Sequence, residues 1–470
     1  MQNNKETHMY MLNEGICSEL LKTALSFGGE YADVYFEDKT PLSITMEDQR
    51  IEKISTGREC GVGIRVIFGH RTAYAYTNDM TRESLHECAL TVSKAVRQNT
   101  AGTVADLTRL RPTVNYVVLY PPETVPMEKK IALIHRANSA VRKVSDKIVQ
   151  VSVSYMDSTR NVLIANSVGN LCEDKRVQTL FVINVIVKEA DVIQTGYETI
   201  GAGMGFELFD DITVESVALK AALRALGMLR ARRVSGGRMP VVISSEAGGT
   251  MIHEAIGHGL EADLAQQGLS VYSDKKGQLI ASPLVTVIDD ATIAGKRGSF
   301  AFDDEATPCQ RNVLVQDGVI TQYMYDRLTA MRDGVQSTGN GRRQSYQSRP
   351  IPRMTNTYLA SGNSPVDDII KSTHGGLFVK KMGGGQVNTV TGDFVFDVQE
   401  GFLIKDGMID EPVRGATLCG NGPAVLNCID MIGSDLGFAI GTCGKDGQGV
   451  PVSDAMPTVR IPDIVVGGEV

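Results

Sequence analysis

Met239-Pro240-Val241-Val242-Ile243, then Ser244-Ser245-Glu246-Ala247-Gly248-Gly249-Thr250, then Met251-Ile252-His253-Glu254-Ala255-Ile256-Gly257-His258-Gly259-Leu260-Glu261-Ala262-Asp263, is where the texture of this chain changes. The first five residues read as a strand and the Gly-Gly pair as a turn. Thr250 is placed to cap a short helix carrying two histidines. Downstream, short apolar strands alternate with glycine turns, over 240–243, 284–288, 313–315, 394–398 and 402–404. Gln316-Asp317-Gly318 and Lys405-Asp406-Gly407 signal hairpins. The expected fold class is α+β: an N-terminal mixed α/β domain, residues 1–235, then a mostly antiparallel β C-terminal domain, residues 236–470, carrying the two-histidine helix. Ser235-Gly236-Gly237-Arg238 reads as the linker. A chain of 470 residues exceeds what one core usually serves.

Upstream, helical and strand periodicities take turns. A helix is expected over about 10–28, ended by Gly28-Gly29, followed by strands at 32–36 and 42–46. A hairpin then runs out over 61–68 and back over 72–76, and Thr81 opens a second helix. Beyond a proline-rich passage come a helix over about 127–142, strands within 148–195, and a helix over about 213–232. Helix, strands, helix, twice over, suggests an internal structural duplication.

Bulk chemistry narrows the function classes. Apolar residues at 42% and charged residues at 22% suit a globular protein, and 48 glycines imply many tight turns. A net charge of -8 disfavours binding to a phosphate backbone. Arg230-Ala231-Arg232-Arg233 and Arg342-Arg343 read as short solvated clusters, so no direct nucleic-acid contact is expected. Met1 to Tyr10 lacks the pattern of a secretory leader, and no apolar run reaches spanning length, so no membrane role is expected. Eight cysteines without a Cys-x-x-Cys pair read as reduced thiols of a cytoplasmic protein.

His253 and His258 fall within six residues of each other, with Glu254 beside the first. On a regular α-helix an i, i+4 pair lies roughly 40° apart, but this i, i+5 pair lies roughly 140° apart. A π-turn, or an early helix end at Gly257 and Gly259, would bring both imidazoles to one point. The residues alone also fit two ordinary histidines at a glycine-rich helix end. His86-Glu87, with no second histidine nearby, reads as surface. A catalytic metal needs a third protein ligand. The residues leave Glu261, Asp263 or a distant donor open; Cys443, between Gly441 and Gly444, reads as a thiol exposed on a glycine loop.

Several further segments stand in order through the second half: Thr338-Gly339-Asn340-Gly341-Arg342-Arg343, Pro352-Arg353-Met354-Thr355-Asn356-Thr357-Tyr358, Gly415-Ala416-Thr417-Leu418 with Gly420-Asn421-Gly422-Pro423, and Gly441-Thr442-Cys443-Gly444-Lys445-Asp446-Gly447-Gln448. With the His-Glu-x-x-x-His motif, they resemble the TldD/PmbA metallopeptidases, a family also labelled modulators of DNA gyrase, in its TldD-like branch. The resemblance implies His253, His258 and Cys443 as ligands of one divalent transition metal, zinc by default and iron as the alternative, with Glu254 as catalytic base. It further implies hydrolysis of unfolded or extended polypeptides and a homodimer, or a heterodimer with a PmbA-like partner. The competing expectation is a non-catalytic regulator that modulates DNA gyrase through protein contact. Arg342, Arg343 and Tyr346 are candidates for lining the cleft, though exposed loop residues are the blander expectation.

Overall fold

A computed structural model describes residues 12–96 and 100–468. The leader reading of residues 1–10, and the start of the first expected helix, lie outside the described residues. That helix, α1, spans Glu14–Ala24, with the Asn13 side chain accepting from the Ile16 N–H at its start. Leu20, Leu21 and Ala24 are buried on one face, as the helical spacing predicts. The expected strands at 32–36 and 42–46 are one strand, β1 (Tyr31–Glu47). Pro41 does not break it, because β1 keeps pairing with a long neighbour through that position. β2 (Arg50–Thr56) folds back on β1, and the expected hairpin is β3 (Glu59–Phe68) and β4 (Arg71–Thr77). α2 (Arg82–Ser93) starts where Thr81 caps it. α3 (Met127–Arg142), three long strands β5 (Ile148–Asn166), β6 (Asn170–Glu189) and β7 (Val192–Ala202), and α4 (Val214–Arg230) complete the first half.

These strands form one sheet in the order β4-β3-β1-β5-β6, with β2 on β1, β7 on β6, and a parallel two-residue strand at 108–109. Two helix pairs cover it. The core under α1 and α2 holds Leu21, Val34 and Ile64; that under α3 and α4 holds Ile134, Phe181 and Ala221. Tyr35 and Ile164 instead pack against Phe302, Ala306 and Tyr346 from the second half.

The second half is β-rich, and its fold class is as expected. β8 (Gly237–Ile243), β9 (Val287–Asp290), β10 (Arg311–Gln316), β11 (Asn356–Leu359), β12 (Gly375–Val387), β13 (Asp393–Lys405), β14 (Met408–Arg414), β15 (Thr417–Asn421), β16 (Gly437–Lys445), β17 (Gln448–Met456) and β18 (Val459–Gly467) follow in order. β12-β8-β18-β15-β13 pair in succession and β13 pairs back to β12, closing a five-stranded ring in which β12 meets β8 only over residues 377–379. A second sheet runs β10-β9-β11-β17-β16, which makes β16 an edge strand. Parallel pairs occur within the antiparallel framework, β8 with β12 and β11 with β17. Both expected hairpin turns form with positive φ at Asp317 (50°), Gly318 (82°), Asp406 (51°) and Gly407 (76°).

Residues 235–238 are not a free linker. Arg232–Arg233 pairs with β14, the Val234 N–H bonds the Arg414 carbonyl, and β8 begins at Gly237. Among the described residues, no helix is long and apolar enough to cross a membrane.

Ion pairs join the halves where solvent is excluded. The Arg65 Nε donates to Asp33 Oδ2 at 2.7 Å and its Nη2 to Glu305 Oε1 at 2.6 Å; Arg343 reaches Asp33 Oδ1 at 3.3 Å and its N–H bonds Asp304 Oδ2 at 2.7 Å. Arg342 and Arg343, expected in solvent, are 6% and 1% exposed, and Tyr346 is also buried. The cluster at 230–233 does keep its arginines exposed. Arg65→Met leaves Asp33 and Glu305 buried without their shared cation. An unfolding free energy lower by about 3–5 kcal/mol is expected in denaturant titration; a loss below about 1 kcal/mol would show that the cluster does not hold the halves together.

Candidate metal centre

The histidine segment is not a regular helix. Thr250–Ile252 forms one α-turn, His253–Gly257 is a π-turn, and His258–Leu260 is a 3₁₀ turn. The His258 N–H bonds the His253 carbonyl, the i→i+5 closure that brings residues five apart to one side. Thr250 is the first helical residue rather than the cap; Gly249 holds that position, and its N–H donates to Asp454 Oδ1 at 2.9 Å. Two glycines are demanded by close packing. A Cβ on Gly257 would lie 2.3 Å from Met354 Sδ, and one on Gly259 would lie 2.5 Å from the Tyr272 ring. The Tyr272 hydroxyl donates to the Ala255 carbonyl at 2.8 Å, satisfying an acceptor of the π-turn.

Cys443 reaches the same point from β16. It is buried within the strand, not exposed on a loop, while its neighbour Thr442 faces outward. His253 Nε2 lies 3.2 Å and His258 Nε2 3.4 Å from Cys443 Sγ, and the three donor atoms all lie within 4.8 Å of one another. Zinc bonds of about 2.0–2.1 Å to nitrogen and 2.3 Å to sulfur set neighbouring tetrahedral donors roughly 3.3–3.7 Å apart. Two imidazoles and a thiol at these separations fit one transition metal. Although burial opposes it, contact with both imidazoles lowers the Cys443 thiol to about 5.

Glu261 and Asp263, the local alternatives for the third donor, serve elsewhere. Glu261 is fully buried, and its Oε2 meets His258 Nδ1 at 3.0 Å and Lys445 Nζ at 3.1 Å. Burial alone would raise its carboxyl; Lys445, His258 and Arg353 instead hold it down at about 2. Asp263 Oδ1 accepts from Lys445 at 2.6 Å. The far nitrogen of His253, Nδ1, is buried without a hydrogen bond, and Asp454 Oδ2 stands 3.9 Å away.

Sequence reasoning passed over Arg353 and Lys445, although both sit inside quoted segments. The Arg353 guanidinium donates to the Cys443 carbonyl, and also to the Gln448 carbonyl at 3.1 Å, pinning both strands of the hairpin. The Asn340 amide donates to the Arg353 carbonyl at 2.9 Å and to the buried Asp289, which Thr355 and Thr357 also bond, at 2.7–2.8 Å. Two of the quoted segments thus converge on one carboxylate behind the site.

Glu254 points into a cavity of about 620 Å³ that His253, His258 and Cys443 also line. Burial raises its carboxyl above the usual range. One wall is β16 from Ile440 to Lys445, and the other is β12 from Gly384 to Val387. His86-Glu87, as expected, is exposed on α2.

The profiles of the PmbA/TldA metallopeptidase match the chain in three successive parts: domain 1 over residues 32–96, the central domain over 120–229, and the C-terminal domain over 236–468. A metalloprotease TldD homolog of Haemophilus influenzae is 39% identical over 448 residues, 93% of each chain. A zinc metalloprotease TldD homolog of Saccharolobus solfataricus is 27% identical, over 96% of this chain and 99% of its own. A solved structure from Thermotoga maritima, described as a proposed modulator of a DNA gyrase, superposes with a TM-score of 0.80 over 97% of this chain and 100% of that one. At 20% identity that likeness speaks for the fold alone. With profile matches along its length and a relative at 39% identity over 93% of each chain, this chain is a metalloprotease and belongs to the PmbA/TldA metallopeptidase family.

Proposed function

We propose that the chain hydrolyses peptide bonds in unfolded or extended polypeptides, with His253, His258 and Cys443 holding the metal and Glu254 acting as general base. One observation carries this reading: the Glu254 carboxylate has no hydrogen bond or ion pair among the described residues and faces the cavity where the three donors converge. A carboxylate bound only for structure would be paired. Zinc is the preferred metal, since two imidazoles and a thiolate suit it and a relative is named a zinc metalloprotease; iron suits the same donors. When bound, such a metal supplies Lewis acidity that polarises the scissile carbonyl and lowers the pKa of water. Glu254 takes the proton of the attacking water and delivers it to the leaving nitrogen, a transfer favoured by its raised pKa. Glu261 orients His258 through Nδ1, so that Nε2 faces the donor cluster.

The substrate lies extended between two strands. Among the described residues, β16 pairs only with β17, and residues 384–387 of β12 have no strand partner on the side away from β13, so both offer backbone groups to an added strand. Recognition of backbone rather than side chains suits broad specificity. We assign this machinery to residues 236–470, with residues 1–235 as a separate domain, in a homodimer or a heterodimer with a PmbA-like partner.

Glu254→Gln should retain metal on elemental analysis while turnover of an unfolded polypeptide falls by about 10²–10⁴-fold; normal turnover by the metal-loaded variant would remove Glu254 from the mechanism. Cys443→Ser should lose most of its metal, whereas Cys419→Ser and Cys428→Ser should keep theirs. Alkylation of the Cys443 thiol should require prior treatment with a chelator. An alkylation rate unaffected by metal removal would take Cys443 out of the ligand set. A stable globular protein should be cut far more slowly than its denatured form, read on a gel time course.

A further inference from the structure

On the other face of the β16–β17 hairpin, between the two halves of the chain, lies a second cavity of about 410 Å³. It shares only Thr442 with the cavity lined by His253, His258 and Cys443. Six cationic side chains line it: Lys39, Arg160 and Arg176 from the first sheet, and Arg297, Arg342 and Arg343 from the second half. Four have carboxylate partners. Lys39 pairs with Glu59, Arg160 with Glu37, Arg176 with Asp174 and Asp304, and Arg343 with Asp33.

Arg297 and Arg342 form no ion pair among the described residues. The Arg342 terminal nitrogens donate to the Met354 carbonyl and, at 2.8 Å, to the Pro451 carbonyl, and its guanidinium stands 5.3 Å from the Phe300 ring centroid. Only the Nε of the Arg297 side chain is bonded, to Gln178 Oε1 at 3.1 Å, which leaves both terminal nitrogens free to donate. The Nε of Arg343, a side chain 1% exposed, is also without a partner. Burial lowers the guanidiniums of both Arg297 and Arg342 to about 10, even with Asp304 near Arg342. A buried cation without an anion, such as Arg342, is costly, and the half-buried Arg297 presents terminal nitrogens free to donate to an oxyanion.

We propose that this cavity binds a phosphorylated small molecule whose phosphate is held by Arg297 and Arg342. Two guanidiniums lacking carboxylates match a dianionic phosphate, whereas a single carboxylate would balance one of them. The cavity exceeds a phosphate in volume, and Ser158 and Gln344 offer hydrogen bonds to the rest of a small polar molecule. Because its walls come from both halves, such a ligand bridges them and stabilises the folded chain by mass action.

The test is isothermal titration and thermal melting of the metal-loaded full chain with inorganic phosphate and with glycerol 3-phosphate, at constant ionic strength. Binding with a rise in melting temperature is expected for both probes. Arg297→Gln, chosen because Arg297 is only half-buried and its loss leaves the Arg342 packing intact, should weaken both by at least about tenfold. Phosphate could instead bind a metal at the first site, so Cys443→Ser should retain the binding. Absence of binding to the wild-type chain, unchanged affinity in Arg297→Gln, or loss of binding in Cys443→Ser would each overturn the proposal. So would tighter binding of a short peptide through its free C-terminal carboxylate than of either phosphate probe.

Discussion

The Glu261 carboxylate is the constraint on which the site depends. It is fully buried, and it joins His258, which closes the π-turn, to a lysine of the hairpin that carries Cys443. A buried anion is tolerable only where cations surround it, so His258, Lys445 and Arg353 must stand where they do. That arrangement orients His258 and ties residues 253–263 to residues 443–445. The two imidazoles and the Cys443 thiol are therefore brought together by a network that reaches them through the far nitrogen of His258 and the strand bearing Cys443. Local backbone geometry adds the other half of the constraint: without the i→i+5 closure, the two imidazoles would diverge.

The β architecture explains why the donors converge beside open backbone. The closed ring of β12, β8, β18, β15 and β13 pairs its strands in succession and leaves residues 384–387 of β12 with a partner on one side only. β16 remains the edge of its sheet and carries Cys443 at the cavity wall. A closed frame beside an edge strand suits the proposed binding of an extended chain, because it holds side chains in place and leaves backbone donors and acceptors free.

The contact between the halves is built differently. It is an arginine-rich layer in which Arg65 and Arg176 bridge carboxylates from both sides and Arg343 reaches across to Asp33, with Tyr35 and Tyr346 packed among apolar side chains. Buried charge of this kind is sensitive to registry, because each cation must meet its own anion. The same layer encloses the second cavity, where two of the arginines meet none.

Much of the fold was legible in the chain. α3, the cap at Thr81, the hairpins at Asp317-Gly318 and Asp406-Gly407, and the change of texture near residue 240 are all short-range features. They follow from periodicity and turn chemistry acting over a few residues. The glycines that permit the π-turn could also be read, as could the pairing of Glu254 with the histidines. Continuity of strands could not: Pro41 and the 399–401 passage look like breaks, and only a neighbouring strand carries β1 and β13 through them. Burial of charge was likewise hidden. Arg342 and Arg343 look solvated because their partners, Asp33 and the carbonyls of Met354 and Pro451, lie 12 to 310 residues away. From residues alone, Glu261 was as good a metal donor as Cys443, since both carry suitable atoms. What separates them is which atom the fold turns toward Nε2 and which toward Nδ1 of His258, and that direction is set by Lys445 and Arg353, which only the tertiary structure brings to Glu261.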